Sequence, residues 1–324
     1  GPQSFIQTHS RVIGLEGGLM DVIACILWGS AFPVLKVTYA ELQLQPNDIA
    51  GRVLLAGGRF FLASLMLFAF LRFALNQSVA VERRWFRPLF LLGLAQTGLQ
   101  YFFFYNGLAF TGGIKGAILN SFGNFLVVIV AHFLYTDDRL NLGKVIGLIT
   151  GFAGIVLVNW RSGAAGFTWE MTFRGEGFLI LSGLASVVGT FQAKKLARDL
   201  NPVVVNAYQL LFGSLLLLIS AIPSLPNTHL TPTPLFWGLF IYSAFLSAAA
   251  FSIWYTLLRY NKAGEVTLYR FMIPVSGAIL SALFLPDESL TPSVLIALAL
   301  VAFGIGAVNY WQRNQRRAVT GGES

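Results

Sequence analysis

Reactive side chains are scarce in this chain. It has one cysteine, Cys25, and three histidines in 324 residues. A lone cysteine excludes an internal disulfide and says nothing of redox compartment. No second His, Cys or Asp stands at ligand spacing from His132, so no metal site is expected. The Gly-rich strings lack the Lys-Ser/Thr that would cradle phosphates, and no Ser-His-Asp arrangement presents itself. No cofactor is expected, and the chain reads as a non-enzyme. Charge is scarce as well. Asp, Glu, Lys and Arg make up 11% of residues, against about a quarter in an average soluble domain.

What is abundant is apolar length. Hydrophobic residues form 56% of the chain, and the mean hydropathy is +0.69. A helix needs about 20 apolar residues to cross a bilayer. Ten such runs lie near 18–38, 51–73, 87–110, 114–135, 142–160, 174–195, 202–222, 235–259, 264–285 and 290–311. Turn residues punctuate them, as at Thr111-Gly112-Gly113 and Pro286-Asp287. The runs are apolar all round, which excludes the alternation of a membrane barrel. The net charge of +8 falls between apolar runs, so it points to membrane orientation and not to nucleic acid. With the N-terminus cytoplasmic, fifteen Lys and Arg lie at inner ends, from Arg11 to Arg317, and five at outer ends (Lys36, Arg52, Lys115, Arg161 and Arg174). That places both termini inside. Gly1-Pro2 reads as a protease-cleavage scar, and nothing resembles a cleavable signal peptide.

The chain also repeats itself. "GFAGIVLVNW" (151–160) returns as "VAFGIGAVNY" (301–310). At the same offset of 150, Asp138 meets Glu288, Gly154 meets Gly304, Asn159 meets Asn309, and "RFFLASL" (59–65) meets "QLLFGSL" (209–215). "WGS" (28–30) meets "VGT" (188–190) at 160. Five runs per half is an odd number, so the second half enters the membrane from the opposite side. Inverted repeats recur in alternating-access transporters, with substrate held near the midplane between them. The expected organisation is a tail over 1–17 headed by the scar, a first repeat over 18–160, a linker over 161–173, a second repeat over 174–311 and a basic tail over 312–324. The expected fold class is an all-α polytopic membrane protein with ten transmembrane helices in two inverted five-helix repeats.

"LWGSAFPVLK" (27–36), "AGGRFFLASL" (56–65), "DDRLNLGKVIGLITGFAGIVLVN" (137–159) and "IPVSGAILSALFLPDESLTPSVLIALALVAFGIGAVNY" (273–310) carry a family resemblance. From Leu19 to Tyr310 the chain resembles the EamA type of the drug/metabolite transporter superfamily. The resemblance implies ten helices, cytoplasmic termini and alternating access around a central cavity. Similar members move amino acids, nucleosides, sugars, phosphorylated metabolites or drugs, usually without ATP. "YRF" (269–271) departs from it, placing an arginine where many members are apolar.

Polar groups at membrane depth are costly and mark pathways. Arg270, with Tyr269 beside it, is six residues into the ninth run. It is either an anchor for a carboxylate or phosphate or a partner of Glu265. Its repeat counterpart is Asn120, one turn from Asn124; both bond substrate or cross-link helices. Gln96 and Gln100 share a face of the third run, continued by Phe104 and Tyr105, whose repeat counterparts are Trp254 and Tyr255. These aromatics wall a cavity or face lipid. Trp28, Ser30 and Gln192 come from the first helix of each half. Arg59 lies mid-span in the second run, where the family often has arginine, so a gating or structural role is weighed beside binding. Pro33 and Pro274 are hinges or static bends. Asp21 and Glu265 are candidates to carry a coupling proton; for Asp21 the alternative is a surface acid at a helix start.

The expected function is a secondary active transporter, an exporter, of an amino acid or similar zwitterion or monoanion. Its partners would be that small molecule, membrane lipids and a coupling proton, with the chain acting as a monomer or weak dimer in a bacterial inner membrane. An exchanger of organic anions or phosphorylated metabolites is the alternative. A membrane-embedded enzyme or a passive channel is the alternative of another class.

Overall fold

The computed structural model describes residues 2–110, 118–159, 171–286 and 288–321, the side chains of 2–16 and 320 excepted. The Thr111–Gly113 turn, the start of the fourth run, Lys115, Arg161, most of the 161–173 linker, Asp287 and the side chain of Arg11 lie outside the described residues.

The described residues form helices and no strand. In chain order they are α1 (Pro2–Glu41), α2 (Ile49–Ala69, extended by a π turn Phe70–Ala74), α3 (Phe86–Gly93, π turn Leu94–Leu99, then Gln100–Phe110), α4 (Ile118–Leu134), α5 (Leu142–Asn159), α6 (π turn Phe173–Gly177, then Phe178–Asp199), α7 (Pro202–Ala221), α8 (Pro234–Tyr260), α9 (Ala263–Leu268, 3-10 turn Tyr269–Phe271, then Met272–Phe284) and α10 (Pro292–Gly321). Eight of these are long and apolar enough to cross a membrane. The exceptions are α4, a shorter apolar helix as described, and α3, whose Arg87, Gln96, Thr97, Gln100 and Asn106 dilute its hydropathy. The segments set apart as tails continue the helices they flank, since α1 is helical from Pro2 and α10 to Gly321.

Local sequence fixes several starts. The Asp48 carboxylate accepts from the Gly51 N–H at 2.8 Å. Asn201 and Thr233 cap α7 and α8, each followed by a proline at the first helical position, where its missing N–H costs nothing. Interior packing relies on small residues, which let backbones touch where lipid offers no hydrophobic drive. A Cβ on Gly304 of α10 would sit 3.0 Å from the Gly147 Cα of α5. One on Gly123 of α4 would sit 3.0 Å from the Gly183 carbonyl of α6.

The packing has a pattern under exchange of each helix with the one five places on. α2 packs along α7 and α5 along α10. The contact of α1 with α9 is matched by α6 with α4, that of α1 with α8 by α6 with α3, and that of α2 with α8 by α7 with α3. The order of buried, half-buried and exposed positions from 55 to 73 recurs position for position from 205 to 223. Helix interruptions recur too. α4 turns at Ser121, whose carbonyl accepts from Asn124 N–H at 3.0 Å, and α9 tightens into its 3-10 turn at Tyr269–Phe271, 150 residues on. The α9 break has a local cause. Pro274 cannot donate to the Arg270 carbonyl and its ring crowds that group, so the helix restarts just before it. Pro33, in contrast, sits inside an uninterrupted α1.

Candidate functional site

Polar atoms that are buried and lack a hydrogen-bond partner are rare in folded proteins and call for a reason. Here they fall on Asp21, Arg59, Gln192, Trp254, Glu265, Thr267 and Arg270. Asp21, Trp254 and Arg270 stand where α1, α8 and α9 pack together.

The centre is Arg270. The α9 break turns its guanidinium between two indoles, with Cζ 5.1 Å from the Trp28 ring of α1 and 5.0 Å from the Trp254 ring of α8. Two aromatic faces compensate a desolvated cation, each by up to about 2 kcal/mol. They leave its Nε–H unpartnered. Trp254 is itself sealed, with its indole N–H unpartnered. Glycine sets the approach of α1: a Cβ on Gly29 would lie 2.7 Å from Ser276 Cβ. About two turns of α1 before Trp28, Asp21 is fully buried. One of its oxygens faces the Cys25 thiol at 3.8 Å and the other is unpartnered. Asp21 and Arg270 interact electrostatically, yet no ion pair within 4.0 Å joins them among the described residues. Cys25 also donates to the Tyr269 carbonyl at 3.3 Å, and the Tyr269 hydroxyl meets Asn309 of α10 at 2.9–3.2 Å.

Beside this lies a wall of amides and phenols. Gln96, on the π turn of α3, donates to Gln100 at 2.8 Å and accepts from the Tyr255 hydroxyl at 3.3 Å. Thr97 donates to Gln209 at 2.6 Å, and Gln209 to Asn206 at 3.0 Å, tying α3 to α7. Tyr101 interacts electrostatically with both Arg270 and Arg59. Arg59 lines a small cavity with Thr38, Tyr39, Tyr105, Phe240 and Ser243. Its volume is about 10 Å³, room for about one water.

The sequence matches the EamA-like transporter family in two stretches, residues 15–160 and 173–310. This chain belongs to the EamA-like transporter family. It is 28% identical over 314 residues to "Uncharacterized transporter YvbV" of Bacillus subtilis (strain 168), covering 94% of each protein. It is 22% identical over 302 residues to "Uncharacterized inner membrane transporter YedA" of Escherichia coli (strain K12), covering 91% of this chain and 90% of that one. A solved structure described as "Crystal structure of protein" superposes with a TM-score of 0.77 at 18% identity, over 93% of this chain and 98% of that one; it shares the fold.

The remaining expected residues of this EamA-like transporter are dispersed. Asn120 is exposed and Asn124 half-buried at the α4 turn. The Glu265–Arg270 pair is not formed: Glu265 lies 3.9 Å from Lys262, because the 3-10 turn carries Arg270 away toward the indoles. Ser30 meets the Tyr242 hydroxyl at 2.8 Å. Phe104 packs on Tyr101 and Tyr105. Gln192 of α6 keeps an unpartnered oxygen. Asp21 is not at a helix start, since α1 runs back to Pro2. His132 accepts the Leu140 N–H at 2.8 Å and closes its own loop.

Sequence reasoning missed Tyr39 and Tyr101, two phenols in a chain with 10 tyrosines and 29 phenylalanines; only the i, i+4 spacing of Tyr101 to Tyr105 marked one of them. It also took Lys144 and Lys194 as ordinary inner charges. Lys144 is buried against Asp138 at 2.6 Å. Lys194 donates to the Leu258 and Asn261 carbonyls at 2.8 and 2.6 Å, closing the end of α8.

Proposed function

We propose that the chain is a secondary active exporter of an amino acid or similar zwitterion or monoanion, working by alternating access. All ten helices cross the membrane as two inverted five-helix repeats, residues 18–160 and 174–311, with both termini cytoplasmic, in a bacterial inner membrane. The repeated burial order, the exchange pattern of helix packing and the paired interruptions of α4 and α9 support that arrangement. Interrupted helices at membrane depth are where transporters of inverted-repeat design hold substrate.

The observation that carries the substrate reading is Arg270, held between Trp28 and Trp254 with an unpartnered Nε–H. A carboxylate there gains a charge-assisted hydrogen bond, and the indoles offer faces to an apolar or planar side chain. Asp21 carries the coupling proton.

Counterflow in proteoliposomes, with a panel of labelled amino acids and phosphate esters, tests this. Saturable exchange of an amino acid, lost in Arg270→Ala, is the expected result; full exchange in that variant overturns the anchor. In Asp21→Asn, exchange persists while net transport driven by a pH gradient disappears. Unchanged gradient dependence removes Asp21 from coupling.

A further inference from the structure

We infer that Arg59 forms a binding site for a small monovalent anion, separate from Arg270, in the cavity between α1, α2, α3 and α8. The ligand chemistry is a halide, since the cavity has room for about one water-sized particle.

Arg59 is 6% exposed. The Phe60 ring lies 4.5 Å from its Cζ, and the Tyr39 and Tyr101 phenols interact with it electrostatically. Its Nε and Nη1 have no hydrogen-bond partner, and no carboxylate pairs with it among the described residues. A cation withdrawn from water is strongly disfavoured without a counter-charge. The cavity it lines is the size of about one water, and hydroxyls surround it: Tyr39, Tyr105, Thr38 and Ser243. Thr38 and Ser243 donate to carbonyls of their own helices at 2.7 and 2.8 Å, and the Tyr39 hydroxyl is hydrogen-bonded to that of Tyr105, so one phenol and the guanidinium remain as donors toward the cavity.

The approach to the site is also cationic. Arg52 lies seven residues earlier on α2, two turns or roughly 10 Å along the same face. Its guanidinium stacks on the Tyr39 ring at 4.4 Å, and Tyr39 in turn interacts electrostatically with Arg59. Arg52 and Arg59, with the Tyr39 phenol between them, give this stretch of α2 a positive field that favours an anion. The repeat counterpart of Arg59 is Gln209, whose amide is fully engaged with Thr97 and Asn206. The site is therefore on one side of the molecule only.

The inference stands without the transport reading, and its test is separate. The purified full-length protein is titrated with sodium chloride or sodium acetate, against a bulky sulfonate at constant ionic strength, and the unfolding midpoint is followed. A ligand that binds the folded state raises the midpoint along a saturation curve. The expected result is a saturable rise in wild type, its absence in Arg59→Gln, and its retention in Arg270→Gln. Arg59→Lys keeps the charge but loses the fork, and half-saturation moves upward about tenfold or more. It decides the matter if Arg59→Gln does not fold. A response to chloride that acetate does not reproduce fits a site of this size; a response to acetate alone overturns the halide assignment. A non-saturable rise in wild type, an unchanged curve in Arg59→Lys, or loss of the response in Arg270→Gln overturns the inference.

Discussion

Asp138 and Glu288 stand 150 residues apart at the same point of the repeating sequence, each at the end of a helix and each bonded to a lysine. Their surroundings differ completely. Asp138 and Lys144 are each 1% exposed and 2.6 Å apart. Asp138 also accepts the Gly264 N–H at 2.8 Å and so pins the start of α9. Glu288 and Lys36 are 2.7 Å apart, but 25% and 56% exposed. The end of the molecule holding Asp138 is sealed, with Lys194 bridging to the end of α8 beside it. The end holding Glu288 has the Arg59 cavity close by, at the C-terminal end of α1 and the N-terminal part of α8. One repeat position thus serves as a closed latch in one half and a solvated contact in the other. The alternating-access cycle proposed above would produce such an asymmetry in either of its end states.

The comparison breaks most readily at the sealed end. Asp138→Asn leaves Lys144 buried without its counter-charge, and removing one partner of a buried pair costs about 3–5 kcal/mol. Equilibrium unfolding in mixed detergent should register a loss of that size; a loss no greater than that of the outer pair would contradict the latch. Lys194→Met is next. It removes the donor to the Leu258 and Asn261 carbonyls; Lys194 is only half-buried, so water replaces part of the loss, and a net cost of about 1–3 kcal/mol in the same assay should place it between the two ion pairs. Glu288→Gln is the smallest. An exposed pair contributes about 0–1 kcal/mol, and raising salt in the wild type should mimic the substitution.

The long apolar runs made the helices legible, because a bilayer demands length and nothing in these runs competes with helix. Their interruptions were harder to read. The π turn of α3 has no residue signature in Leu94–Leu99. The 3-10 turn of α9 was marked only by Pro274, and it lies before that proline because the effect of the ring falls on the preceding turn. The polar residues at depth were legible one at a time, since Arg270, Trp28, Trp254 and Asp21 each stand out in apolar surroundings. Their meeting was not, because it depends on helix approach at glycines such as Gly29, which spacing along one helix does not encode. The partner of Lys144 was hidden for a related reason. Lys144 lies three residues past Asn141 at a helix start, where most lysines face solvent, and only the fold turns Asp138 toward it.

The measurement that reaches furthest is the sidedness of two repeat-related positions. Arg139 and Ser289 are exposed neighbours of the two acids. Each is replaced by cysteine in a Cys25→Ser background and treated in intact cells with a membrane-impermeant maleimide. Oppositely threaded halves predict that Ser289→Cys is labelled at once and Arg139→Cys only after the membrane is opened. Labelling of both from the same side would contradict the account.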